Sequence, residues 1–478
     1  MHATQSTGRL SGTAQDETFA ALRDREFGYL DDGGHTYLDH TGAGLPPRSL
    51  VEGSARRITG GLFGNPHSES PASRASGRLV DEARAAVLRH FNADPAEYAV
   101  IFTPNATGAL RLVGEAYPFS HDTRLVLSLD NHNSVNGLRE YARARGATTT
   151  YVPVTGPGLR LDEARTRAAL APPGRPGGPP PGLFAYPAQS NFTGVRHSLG
   201  WIATAQARGY RVLLDAAAHV PTNTLDLGRH HPDFTAVSWY KVFGHPTGVG
   251  SLIVRRSALA GLRRPWFSGG TIRVVSARGR WHVPAADETA FEDGTLNFLA
   301  LADVTAGLAW IESLGMDRVH THVGALTGRL LNGLRMLRHG DGTPLVRVYG
   351  PDRADPDRGG TVALNVLDAR GGVVDERLVV RDSAARGISL RTGCFCNPGA
   401  GEAAFGLSEE RLRAAARRGP GTLDDYLERL GLPSAGAVRV SLGVASLPRD
   451  VDTFLDFVHA TYRDRLPDTA GLTPRESC

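Results

Sequence analysis

Lysine is almost absent from this chain. Of its 53 Lys and Arg residues 52 are arginine, and the single lysine is Lys241. Either residue serves as a generic surface cation, but only lysine can lose its proton and bond covalently to a carbonyl. The one lysine retained against this bias is therefore a candidate for covalent work. Cysteine is scarce as well, with Cys394, Cys396 and Cys478 the only three. Three sulfurs make neither a disulfide framework nor the usual four-ligand zinc site. The His pairs at 230–231 and 320/322 lack a companion carboxylate or Cys cluster, so no metal is expected, and Cys394 and Cys396 stand too close for an easy bridge. A cysteine in a Gly/Pro-rich loop, as at 393–401, is instead a candidate nucleophile.

Long apolar runs are missing too: none approaches the roughly 20 residues that a membrane span needs. The first residues, MHATQSTGRLSGTAQDETF, lack a signal peptide's apolar stretch. A cytoplasmic protein without a membrane partner is expected. The net charge of +4 comes from scattered residues, with no basic stripe interleaved with aromatics, so no nucleic-acid partner is expected. With 41% hydrophobic and 21% charged residues over 478 positions, the chain can bury a large core and suits two domains.

Residues 1–35 are polar and read as a loosely held N-terminal arm. Between Tyr98 and Val254 apolar runs alternate with helical stretches: YAVIFT (98–103), RLVLSL (124–129), TTYVPV (149–154), LFAYP (183–187), RVLLD (211–215), FTAVS (234–238) and GSLIV (250–254). Most are continuously apolar, as in a parallel sheet buried on both faces. An α/β domain over 36–315 is expected, its first part contributing to the smaller domain. The Pro/Gly segment 171–182 reads as an elaborated surface loop within it. After about residue 315 a long helical stretch (318–338) and short strands (361–367, 437–443) predict a smaller α+β domain, 316–478, carrying the cysteine loop.

The run RVLLD ends on Asp215, at the carboxyl end of an expected parallel strand, where ligand sites of open α/β sheets lie. Twenty-six residues on, just past FTAVS, stands Lys241. An Asp and a Lys at two buried strand ends meet the needs of a pyridoxal phosphate enzyme: a lysine to bond the cofactor aldehyde and a carboxylate to keep the pyridine nitrogen protonated. A simple buried ion pair would use the same two residues. The segment 102–116 adds a strand end, a turn at Asn105, Ala106 and Thr107, and a helix N-terminus of the kind that seats phosphate, although Asn and Thr cap many helices with no ligand present.

These segments resemble a known family. YLDHTGAG (37–44), FGNPHS (63–68), YPAQSNFTG (186–194), LLDAA (213–217), SWYK (238–241), FEDGT (291–295), RTGCFCNPGA (391–400) and VRVSLG (438–443) are similar to the desulfurase domain of molybdenum cofactor sulfurases. More broadly they resemble class V aminotransferases and cysteine desulfurases, over about Tyr37 to Ser446. The resemblance implies the type I fold of pyridoxal phosphate (PLP)-dependent aminotransferases, with a mostly parallel central sheet in the large domain and a smaller α+β domain. It also implies a homodimer with active sites at the subunit interface.

Carried over residue by residue, the resemblance implies that Lys241 holds pyridoxal 5'-phosphate and Asp215 pairs with its ring nitrogen. His132 would stack on the ring and help move protons. Asn105, Ala106, Thr107 and Ser238 would hold the phosphate, with Tyr240 beside the lysine, and Thr271 would reach the phosphate of the neighbouring subunit. Asn191 would stand near the ring oxygen and the substrate carboxylate, Arg439 would clamp that carboxylate, and Thr41 and Gly42 would complete the substrate side. Cys396 would be the nucleophile that takes sulfur from L-cysteine or a related amino acid as a persulfide, for delivery to a sulfur acceptor. Three positions depart from the relatives' pattern: Ala218 and Tyr240 stand where simple cysteine desulfurases carry Gln and His, and Gly401 where sulfurases often carry Cys. The alternative is a C–S lyase, epimerase or aminotransferase of the same fold that uses no persulfide. No room is expected within 478 residues for the additional C-terminal domain of eukaryotic sulfurases.

Overall fold

The computed structural model describes residues 12–171, 182–353, 355–417, 421–432 and 434–475. Most of the Pro/Gly loop and Cys478 lie outside the described residues.

The large domain is built on a seven-stranded sheet. Its spatial order is Tyr98–Thr103, Gly250–Arg255, Phe234–Ser238, Arg211–Asp215, Gly182–Pro187, Arg124–Ser128 and Thr148–Val152. Gly250–Arg255 runs antiparallel to both neighbours, and the remaining pairs are parallel. Every residue of Gly182–Pro187 and Phe234–Ser238 is buried, as the continuous apolar runs require. One face of the sheet packs on Pro71–His90 and Phe298–Leu314 around Trp239, Tyr186 and Phe91. The other packs on Ala106–Ala116 around Leu110, Leu127 and Leu213. The strand ends that carry Asp215 and Ser238 are neighbours in register, Asp215 pairing with Ala236.

Phe298–Leu314 and Met316–Met336 meet at Gly315, whose φ of +80° suits a residue without a Cβ. The chain bends there by 70° and passes into the small domain. No single helix among the described residues is long and apolar enough to cross a membrane. The small domain holds a four-stranded antiparallel sheet ordered Val346–Tyr349, Thr361–Val366, Ala437–Ser441 and Arg391–Gly393.

The N-terminal segment departs from a loose arm. Gly12–Phe27 is helical, and Phe19, Leu22, Phe27 and Leu30 are buried in the small domain's core with Leu330 and Phe454. Phe19, Leu22 and Phe27 share the buried face with Arg23 and Glu26, so the sequence shows no clear apolar stripe, and burial holds the helix down. Arg23 fixes it further, paired with Asp450 at 2.9 Å and with Asp31 at 2.9 Å. Thr36–Tyr37 then pairs with Ile388–Ser389, and Asp39 bridges to Ser441. The YLDHTGAG segment thus leaves the small domain along the strand that carries Arg439 and runs to the Lys241 turn.

Candidate active site

At the carboxyl ends of the parallel strands a cavity of about 590 Å³ brings together Asn105, Ala106, Thr107, His132, Asn191, Asp215, Ser238, Tyr240 and Lys241. Nine residues singled out from the sequence therefore line one space. A second cavity of about 460 Å³ shares Lys241, Gln189 and Ala218 with it and is lined also by His40, Thr41 and Thr361.

Lys241 sits on the one-turn helix Trp239–Phe243, anchored by Trp239, whose indole nitrogen donates to Ser251 Oγ at 2.9 Å. Its low-dielectric surroundings pull its pKa below the ordinary lysine value, and the Asp215 charge opposes that only in part. Gly44 packs on this turn, where a Cβ would stand 3.0 Å from the Lys241 carbonyl oxygen. Asp215 is buried, and its Oδ1 accepts the Ala217 N–H at 3.0 Å. His132 caps Asn133–Asn136, and its Nδ1 accepts the Ser134 N–H at 3.1 Å. The acceptor role puts the proton of a neutral ring on Nε2. Burial lowers the His132 pKa, with Asp215 acting in the opposite sense and Lys241 reinforcing the shift.

The helix Ala106–Ala116 opens onto the same space. Two of its first amides are already engaged: Ala106 donates to Ser238 Oγ at 2.8 Å and Gly108 to Asn105 Oδ1 at 2.9 Å. An anion on this wall would therefore meet mainly the hydroxyls of Thr107, Ser134 and Ser238. Thr107 and Ser134 touch through Oγ atoms 2.7 Å apart.

Arg439 comes from Ala437–Ser441 of the small domain and is 3% exposed. Its two terminal nitrogens donate to Asp39 Oδ1 at 2.6 Å and to the Asn191 carbonyl at 3.1 Å. Its Nε has no hydrogen-bond partner among the described residues. The guanidinium lies 4.9 Å from the centre of the Phe395 ring, within cation–π range.

The cysteine loop is pinned to the large domain at three successive residues. Asn191 Nδ2 donates to the Phe395 carbonyl at 2.8 Å, and Asn133 N–H to the Cys396 carbonyl at 2.7 Å. Asn397 Nδ2 reaches both the Asp130 carbonyl at 2.7 Å and Asn191 Oδ1 at 2.8 Å. Phe395 and Cys396 both have left-handed backbones, with φ of +54° and +53°. Non-glycine residues held this way store about 1–3 kcal/mol each and need such clamps. Beyond them lies the helix Pro398–Ala404, and at its second residue, Gly399, a Cβ would stand 2.0 Å from the Leu129 carbonyl oxygen. Cys396 is half-buried with a free thiol.

Four expected residues, Cys396, Arg439, Thr271 and Gly42, line neither cavity. Thr271 does not line the cavity of its own chain; its hydroxyl closes a turn by donating to the Ser268 carbonyl at 2.8 Å. Gly42 lies against Asp39, leaving no space for a Cβ, while Thr41 bonds Thr361 through Oγ1 atoms 2.6 Å apart. Sequence reasoning missed Asp39, Phe395 and Asn397, although all three lie inside the segments YLDHTGAG and RTGCFCNPGA. Among the described residues no group of three or more His, Cys, Asp or Glu side chains is placed to hold a metal ion.

The chain is 36% identical over 489 residues to the molybdenum cofactor sulfurase of Bos taurus, covering 96% of this chain and 54% of that protein. It thus spans about half the length of such curated relatives. Its fold matches a cysteine desulfurase from Thermococcus onnurineus NA1 with a TM-score of 0.75 at 23% identity, covering 95% of this chain and 99% of the other. It also matches the cystine C–S lyase C-DES, solved with cysteine persulfide, with a TM-score of 0.68 at 20% identity, over 92% of this chain and all of that one. The aminotransferase class-V family model matches residues 36–454, and the chain belongs to that family.

Proposed function

We propose that this protein is a PLP-dependent, cysteine desulfurase-like enzyme. It cleaves the carbon–sulfur bond of L-cysteine or a related amino acid and keeps the sulfur as a persulfide on Cys396. The observation that carries this reading is the free Cys396 thiol, pinned through its own carbonyl to Asn133, the residue next to His132.

The cavity fits the cofactor. Lys241 supplies an amine of lowered pKa for its aldehyde, Asp215 a buried carboxylate for its ring nitrogen, and Thr107, Ser134 and Ser238 hydroxyls for its phosphate. Pyridoxal phosphate, when bound, supplies an electron sink for the substrate carbon that bears the amine. Lys241 and neutral His132 carry protons to and from that carbon. Arg439 and Asn191 orient the substrate carboxylate. The Cys396 thiolate attacks the substrate sulfur, so that L-cysteine and Cys396 become alanine and the Cys396 persulfide. Tyr240 closes the cavity beside the lysine. An acceptor then takes the sulfur.

A homodimer suits the exposed hairpin Ile272–Ser276/Trp281–Pro284. Val274, Val275 and Trp281 are exposed there, Trp281 by 52%, next to Trp266 and Phe267. In such a dimer Thr271, at the root of the hairpin, reaches the partner's phosphate. We place the protein in the cytoplasm. Sedimentation of wild type beside Trp281→Glu tests the dimer.

A single turnover with L-cysteine tests the reaction, followed by the cofactor's visible spectrum and by mass mapping of the persulfide. Alanine formed together with a Cys396 persulfide, both lost in Lys241→Ala and the persulfide lost in Cys396→Ala, is the expected result. A fully active Cys396→Ala without persulfide overturns it in favour of a lyase, epimerase or aminotransferase.

A further inference from the structure

We propose that Phe395 is a positioning residue that couples capture of a substrate carboxylate at Arg439 to the pose of the Cys396 thiol. The inference rests on the roles given above to Arg439 and Cys396.

Phe395 is the only residue of the loop whose side chain touches the guanidinium at a ring face, 4.9 Å from its centre, among the described residues. It also precedes the nucleophile directly. The ring is 5% exposed and packs on Phe192 at 5.1 Å, so it has one seat and that seat is built partly from the cation. Asn191 closes the circuit: its backbone carbonyl accepts from Arg439 and its side chain donates to the Phe395 carbonyl. Arg439 therefore holds the loop by two routes, one through the Phe395 ring and one through Asn191.

The loop is poised to respond. Phe395 and Cys396 are both left-handed, so their backbone relaxes toward ordinary angles once a clamp weakens. A carboxylate reaching Arg439 does two things. It competes with Asp39 and Asn191 for the donors, and it neutralises the positive field that the ring face sees. Both loosen Phe395, and the Cys396 thiol is released toward the cavity when an amino acid is present to receive its attack. Without one, the thiol stays half-buried and protected from reagents.

The test is the rate at which iodoacetamide alkylates Cys396 in the cofactor-loaded protein, read by peptide mass mapping with and without glycine. Glycine carries the amine and carboxylate but no side chain to shield the thiol. In wild type, glycine should raise the rate about tenfold, the scale of a lost cation–π contact. Phe395→Leu keeps an apolar side chain but no ring face; it should alkylate fast without glycine and gain nothing from it. Phe395→Tyr should behave as wild type, which a merely destabilised loop would not do. Under turnover with L-cysteine, Phe395→Leu should lose kcat for persulfide formation with KM little changed. A wild-type rate indifferent to glycine, or a Phe395→Leu that responds as wild type does, overturns the proposal. The desulfurase reading fails separately: wild type would then form no persulfide from L-cysteine, whatever the alkylation rates show.

Discussion

Asp39 and Arg439, separated by 400 positions, form an ion pair of 2.6 Å at the junction of the two domains. The strand that holds Arg439 is the one that Asp39 bridges beside, so the pair is a product of sheet register. Asp39 supplies a negative charge to a guanidinium that is otherwise cut off from water. Arg391 approaches the other Asp39 oxygen only to 4.0 Å and remains half exposed.

Removing that carboxylate leaves a buried cation without its counter-charge. Asp39→Ala should cost about 3 kcal/mol of stability. An amino-acid carboxylate bound at Arg439 replaces the missing charge. The thermal midpoint of Asp39→Ala should therefore rise more on adding L-alanine than that of wild type. Equal shifts in the two proteins would place carboxylate binding away from Arg439.

Lys241 makes cofactor-free protein pH-sensitive in a defined direction. Its pKa is lowered by desolvation in the fold, so above the folded value and below the ordinary value of about 10.4 the unfolded chain binds more protons. Stability must rise with pH across that window, because the buried side chain is there an uncharged amine while the unfolded chain still holds the proton. Below it the full cost of burying the charge is felt. Lys241→Met should be more stable than wild type at pH 7 by urea denaturation, and the gap should narrow by pH 9.5. A gap that does not change with pH would show that the lysine is solvated.

Much of this was legible in the sequence because the physics was local. RVLLD and FTAVS are apolar enough to declare buried parallel strands, so the ends at Asp215 and Ser238 were placed before any contact was known. Lys241 stood out because the chain uses arginine for every other cation. The Asp39–Arg439 pair was illegible, since it depends on which distant strands meet. The N-terminal helix was misread for a related reason: Phe19, Leu22 and Phe27 sit in a polar background, and only the small domain's core gives them something to bury against. The left-handed turn at Phe395 and Cys396 was hidden because neither residue type favours it; the clamps from Asn133, Asn191 and Asn397 impose it.

Gly399 brings the cysteine loop closer to the large domain than any side chain permits. In Gly399→Ala the new Cβ would meet the Leu129 carbonyl oxygen, so Pro398–Ala404 must move and the Asn397 cap with it. The strain costs about 1–3 kcal/mol. Because the lysine turn is untouched, the visible spectrum of the loaded protein should be retained while persulfide formation falls at least about tenfold. Parallel loss of both would mean that the loop supports the cofactor cavity itself.

Ser238 does its work through another residue's backbone. Its Oγ accepts the Ala106 amide, which fixes the first turn of Ala106–Ala116 against the strand leading to Lys241 and leaves the hydroxyl hydrogen to point at an anion. Ser238→Ala removes both, and Ala106 is left with a buried amide that has lost its acceptor, a loss of about 1–3 kcal/mol. Cofactor affinity, measured by fluorescence titration of the cofactor-free protein with pyridoxal phosphate, should fall about tenfold or more. Ser238→Thr keeps the hydroxyl and should recover most of it. Affinity unchanged in Ser238→Ala would put the phosphate against Thr107 and Ser134 alone, and move the ring away from the strand that carries Lys241.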